Sequence, residues 1–177
     1  MISTHAFFSE LQKIAATTVH IPFTPIHGRA LDKDFDHLVM KGENQDGLHI
    51  CHMLVDDHYK EKGPAATVSL LRGPEINSWK LWEVRMMHVR DDLRGKGTGK
   101  KVWNAIREAH PDGMFGVLPD PVKDKAVSRD DLHKVYESYG FRPNRENSEW
   151  MYTIGDGHPT FKEELRSYLA KKELKRE

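Results

Sequence analysis

Residues 83–106, EVRMMHVRDDLRGKGTGKKVWNAI, constrain the fold more than any other stretch. The segment WKLWEVRMMHV at 79–89 reads as a strand, with Trp82, Val84, Met86 and His88 alternating against Leu81, Glu83, Arg85, Met87 and Val89. It leads through Arg94-Gly95-Lys96-Gly97-Thr98-Gly99 into KKVWNAIREAH (100–110), a helix with Val102, Trp103 and Ile106 on one face. Pro111-Asp112-Gly113 stops that helix. Alternate glycines leave main-chain N–H groups uncovered and permit positive φ. The helix start directs its unpaired N–H groups and positive dipole end to the same place. This is an anion pocket fitted to phosphate, and Lys96, Lys100 and Lys101 add charge around it. It is not a Walker A loop, because Arg94 stands where the first glycine belongs and Lys101 follows Lys100. Nor is it GxGxxG, because Lys100 replaces the third glycine. A glycine-rich turn without a ligand is the plainer alternative.

Elsewhere the pattern predicts a mixed α/β or α+β sheet. Phe7, Phe8, Leu11, Ile14 and Ala15 form one stripe of a helix over 5–17. HIPFTPIHG, with Pro22 and Pro25, reads as a loop. Residues 29–40 read as a weak helix through Leu31, Phe35, Leu38 and Val39, and 44–47 as a turn. LHICHMLV (48–55) and ATVSLLR (66–72) are strand candidates joined by the polar segment 56–64, a hairpin with a long loop. MFGVLP (114–119) is a short buried strand. Ser128 caps a helix that ends at Gly140, EWMYTI (149–154) is a last strand, and 161–177 is a charged helix.

Arg94-x-x-Gly97-x-Gly99 between a strand and a helix resembles the [QR]-x-x-G-x-[GA] signature of the GNAT superfamily of acyl-CoA N-acyltransferases. Tyr136-Glu-Ser-Tyr-Gly140-Phe141 resembles the family's second block, Tyr-x-x-x-Gly-Phe, and the two stand in family order. The resemblance covers roughly 48–154 and implies a mostly antiparallel mixed sheet, flanked by helices and splayed between the strands at 80–89 and 114–119. It divides the chain into a GNAT-like domain over 1–157 and a helical extension over 158–177.

The resemblance further implies acetyl transfer from acetyl-CoA to a primary amine by direct attack in a ternary complex. Arg94, Gly95, Lys96, Gly97, Thr98, Gly99 and Lys100 would hold the pyrophosphate. Met87, His88 and Val89 would line the pantetheine arm, Val89 pairing with it as a pseudo-strand and the Met87 N–H facing the acetyl carbonyl. Glu83 would be the base that takes the amine proton; its alternative is a strand carboxylate paired with Arg85. Tyr136 would protonate the departing thiolate; its alternative is an aromatic packed on the sheet. Ser128 would touch the pantetheine or simply cap its helix, and Cys51 reads as buried filler. The connection from Pro119 to Val127 is longer than the family's, which leaves the acceptor unspecified.

Composition narrows the rest. Lys+Arg and Asp+Glu both number 27, so net charge is zero and nucleic acid is disfavoured as a partner; Asp91 and Asp92 interrupt the run Arg90, Arg94, Lys96, Lys100, Lys101. One cysteine rules out an intrachain disulfide and favours a cytoplasmic setting. No stretch is apolar enough for a membrane span. The 11 histidines raise a metal question, but His49 and His52 fall on opposite faces of a strand, so no metal is expected. The expected partner is an amine acceptor (small molecule, protein or aminoacyl-tRNA), with a homodimer admitted. The rival reading is a non-catalytic acyl-CoA-binding or protein-interaction module on the same fold.

Overall fold

A computed structural model describes residues 22–76, 79–119, 128–143 and 149–154. The helices expected at 5–17 and 161–177 lie outside them. The strands are β1 (Thr24–Ala30), β2 (Asp36–Asn44), β3 (Gly47–Val55), β4 (Ala66–Ile76), β5 (Trp79–Val89), β6 (Gly113–Val117), β7 (Arg142–Pro143) and β8 (Met151–Ile154). The helices are α1 (Tyr59–Lys62), α2 (Thr98–Ala109) and α3 (Arg129–Ser138). The strands form one sheet in the order β1-β2-β3-β4-β5-β6-β8-β7. Every pairing is antiparallel except β5 with β6. This is the mixed, mostly antiparallel sheet expected from the sequence.

The N-terminal reading needs two corrections. Residues 24–28, expected as loop, belong to the edge strand β1; Pro25 is tolerated there because the register slips between Pro25 and His27. Residues 29–40, expected as helix, are instead the end of β1, a turn over 31–35 and the start of β2. The Asp32 carboxylate accepts from the N–H groups of Asp34 and Phe35 at 2.8 and 3.0 Å, and the Leu31 N–H donates to the Phe35 carbonyl at 2.9 Å. The apolar set that mimicked a helical stripe is divided between faces: Val39 joins the cluster under α2, and Leu38 the cluster on the opposite face.

The larger cluster holds Val102, Trp103 and Ile106 of α2 against Val68, Leu70, Trp82, Val84, Phe115 and Phe141. Trp103 packs edge-on to Phe115 at 5.0 Å and tilted on Phe141 at 4.8 Å, which pins α2 to the sheet and to the chain after α3. The opposite face buries Leu38, Met40, Cys51 and Met53. Burial pushes the Cys51 thiol up to about 12, which leaves it unreactive.

Under the end of α2 three histidines form a chain. His37 Nε2 lies 3.0 Å from His52 Nδ1, and His52 Nε2 lies 3.0 Å from His110 Nε2. His37 Nδ1 is buried with no partner among the described residues, so we assign its proton to Nε2, donating toward His52 and onward to His110. Because His52 spends both nitrogens within the chain, the three do not converge on a point as metal ligands would. His49 faces the other way and meets Asn44 at 3.0 Å.

Burial holds His37 and His110 down at about 4 and His52 well below its ordinary value. Each is neutral when folded but titrates near 6.5 when unfolded. The unfolded chain therefore binds more protons below about pH 6.5, and stability falls from there toward pH 4. The expected loss is on the order of 2 kcal/mol by pH 5 for each of His37 and His110, and His52 adds in the same direction. Urea unfolding between pH 7.5 and 5 checks this, and a flat profile refutes it.

Candidate active site at the splayed strands

The site begins at an irregularity in β5. Ser69 pairs with Met86 and Leu70 with Val84, so Arg85 is an extra residue, a β-bulge. It reverses the alternation expected for this strand. Trp82 and Val84 face the α2 cluster before the bulge, and Met87 and Val89 face it afterwards. Met86 is 36% exposed and His88 lies, like it, on the opposite side.

The parallel ladder ends where Val84 pairs with Val117. Beyond it, among the described residues, β5 pairs only with β4, so the sheet opens along 85–89. The Arg90 N–H donates to the Ala65 carbonyl at 3.0 Å, across the pair Ala66–Val89. In antiparallel geometry the Val89 N–H and C=O then point away from β4, into the opening. Met87, two residues earlier in unbroken register, presents its N–H and C=O the same way.

A 3₁₀ turn (Asp91–Leu93) carries the chain from this opening to α2, and the Leu93 side chain packs on the core. Gly95 and Gly97 have φ of 73° and 80°. A Cβ on either would meet nothing within 4 Å, so backbone handedness, not crowding, demands glycine. Gly97 caps α2 with no side-chain acceptor. The amides of Thr98, Gly99 and Lys100 meet no acceptor among the described residues. An uncapped helix start therefore lies at the end of the opened strand.

The basic residues divide into different roles. Lys96 and Lys100 are exposed. Lys101 is committed elsewhere, to Asp32 at 2.7 Å and over the Phe35 ring at 4.8 Å. Arg90 is not part of an exposed basic run: it is 8% exposed and grips Asp56 through both terminal nitrogens at 3.1 and 2.5 Å, with Asp92 at 2.7 Å and the Gly63 carbonyl at 2.9 Å. Arg94 donates Nε to the Val89 carbonyl at 3.1 Å and pairs with Asp91 at 2.7 Å, so its guanidinium sits at the opening.

Helix α3 brings two tyrosines to the cluster under the opening. Tyr136 packs edge-on to Phe141 at 5.4 Å and to Tyr139 at 6.4 Å. Burial, with a smaller contribution from Tyr139, pushes its phenol up to about 12, so it stays protonated at neutral pH. Burial raises Tyr139 as well. Gly140, at φ 95°, ends the helix and lets Phe141 turn into the core. The Ser128 hydroxyl accepts from the Asp131 N–H at 3.1 Å and donates to its carboxylate at 2.7 Å; it works as a helix cap.

Glu83 stands on the last paired stretch before the opening, opposite Gly116 of β6 and Leu71 of β4. Its carboxylate meets Arg85 Nε at 3.2 Å and its side chain is 33% exposed. Sequence reasoning missed the Arg85 bulge, the burial of Arg90 and the position of Tyr139. A Cβ on Gly99 would overlap the Tyr139 hydroxyl and stand 3.4 Å from Val89 Cγ2. Only the folded chain brings those three residues together. Among the described residues no group of three or more His, Cys, Asp or Glu is placed to hold a metal ion, and no helix is long and apolar enough to cross a membrane.

The structure resembles solved GNAT acetyltransferases. It superimposes on AtaTR bound with acetyl-CoA at 15% identity over 59% of this chain and 66% of that one, with a TM-score of 0.44. A GNAT-family acetyltransferase from Staphylococcus aureus Mu50 matches at 14% over 59% and 66%, TM-score 0.42. An aminoglycoside 6′-N-acetyltransferase complexed with coenzyme A matches at 16% over 66% and 77%, TM-score 0.42. The match to AtaTR spans just under two thirds of that chain's length. No family model and no curated protein sequence matches the chain.

Proposed function

We propose that the chain is an N-acyltransferase that moves an acetyl group from acetyl-CoA to a primary amine within a ternary complex. One observation carries this reading: the Met87 and Val89 amides turn into an opened sheet that ends on the uncapped start of α2. Such a crevice fits a thioester carrier, whose amide-bearing arm can pair with a strand edge and whose diphosphate suits free helix amides.

In the proposed reaction the amine nitrogen attacks the thioester carbonyl, forming a C–N bond and an oxyanion. The Met87 N–H donates to that oxyanion, a hydrogen bond that strengthens as charge develops. Collapse breaks the C–S bond. The Tyr136 phenol, held protonated by burial, gives its proton to the thiolate. Glu83 accepts the proton of the attacking amine, which requires its carboxylate to leave Arg85. The acceptor is an amine of open identity.

Tyr136→Phe keeps the ring packing and removes the donor. It is expected to lower kcat about a hundredfold with CoA affinity unchanged, read by thiol release and calorimetry. Glu83→Gln is expected to abolish the acidic limb of the pH–rate profile; an unchanged profile removes Glu83 as the base. The Glu83–Arg85 pair favours one other reading, a carrier-binding module without turnover. That module would bind CoA yet release no thiol from acetyl-CoA with any amine in a broad panel.

A further inference from the structure

We propose that the Tyr139 hydroxyl is a binding donor for the acyl-CoA carrier, directed at its diphosphate. This rests on the carrier reading above and adds a residue to it. Tyr139 is the C-terminal cap residue of α3, where its N–H donates to the Tyr136 carbonyl at 3.0 Å and fixes the backbone. Its half-buried ring reaches across to α2, and its hydroxyl lies in the notch left by the missing side chain of Gly99. The notch is in the first turn of α2, beside the amides of Thr98, Gly99 and Lys100 that meet no acceptor. Val89, whose N–H and C=O face the opening, borders the same notch.

The hydroxyl has no hydrogen-bond partner among the described residues. A phenol held at this position adds a side-chain donor to a row of backbone donors, and all of them suit anionic oxygen. Gly99 is glycine for a different reason from Gly97. Its helix geometry would accept a side chain, but the Tyr139 oxygen already fills that space. Tyr136 and Tyr139 thereby divide the work: the phenol on the inner turn of α3 serves the sulfur, and the one on its last turn serves the phosphates.

The test is Tyr139→Phe, which keeps the ring and removes one oxygen. CoA affinity by calorimetry is expected to fall about tenfold, the weight of one hydrogen bond to a charged group. Affinity for pantetheine, which lacks the diphosphate, is expected to be unchanged, as is the melting temperature. Unchanged CoA affinity, or equal weakening of CoA and pantetheine, overturns the assignment while leaving the carrier reading intact. Failure of the unaltered protein to bind CoA at all overturns both.

Discussion

Gly97→Val is expected to weaken CoA binding at least a hundredfold while leaving the protein folded. Gly97 has φ of 80°, and a β-branched residue there is strained by about 1–3 kcal/mol. Nothing within 4 Å of its Cβ position would resist the new side chain, so strain is the whole structural cost. A valine in that open space stands where the diphosphate must approach the α2 amides, and affinity should fall at least a hundredfold. Gly63 supplies the control. Its φ is 77° and its Cβ position is equally open, but it lies between α1 and β4. With ψ at −172°, a region essentially reserved for glycine, Gly63→Val should cost at least as much stability and leave the CoA affinity of the folded protein nearly unchanged. Equal loss of binding in both variants would trace the effect to backbone strain and remove the anion pocket from the site.

Legibility in the sequence follows the range of the interactions. The strand at 79–89 and the helix after it were readable because each has a sustained period and the glycines between them announce a turn. Ser128 and Gly140 were readable as helix ends because capping is local chemistry. The first hairpin was misread because Leu31, Phe35, Leu38 and Val39 match helical spacing, whereas the Asp32 side-chain turn that decides the matter is a hydrogen-bonding outcome. The bulge at Arg85 was invisible because a one-residue slip depends on β4, not on β5 alone. Arg90 looked like its basic neighbours; what separates it is Asp56, 34 positions away in the chain. The contact of Tyr139 with Gly99 is of the same kind, joining two helices whose sequences are silent about each other.

Asp56→Asn is expected to lower stability by about 3 kcal/mol and to loosen the turn that leads to α2. Asp56 follows β3, and Arg90 follows β5, so their paired contact ties the end of one strand to the first residue after another. The side chains are 10% and 12% exposed, for Arg90 and Asp56 respectively, which places the pair among buried bridges with some remaining water. Losing one partner of such a pair costs about 3–5 kcal/mol, and the residual exposure argues for the low end. For a chain of this size that is a fall of roughly 6–12 °C in Tm. Asp92→Asn makes the contrast: its carboxylate also meets Arg90, but it is 42% exposed, so solvent screens the pair and the expected change in stability is small. Acid titration separates this pair from the histidine chain. Burial alone would raise the Asp56 carboxyl, but the Arg90 hydrogen bonds outweigh it and hold it below its ordinary value of 3.8. A depressed carboxylate contributes stability above its unfolded pKa and loses it as pH falls through the folded one, below about pH 4. The histidines act first, from about pH 6.5 downward. Urea unfolding of Asp56→Asn should therefore show a lower plateau at neutral pH and an unchanged slope between pH 6.5 and 5. If the variant matches the parent at neutral pH, the bridge does not hold the loop, and the order at Gly95 and Gly97 must come from the Leu93 anchor and the glycine backbone alone.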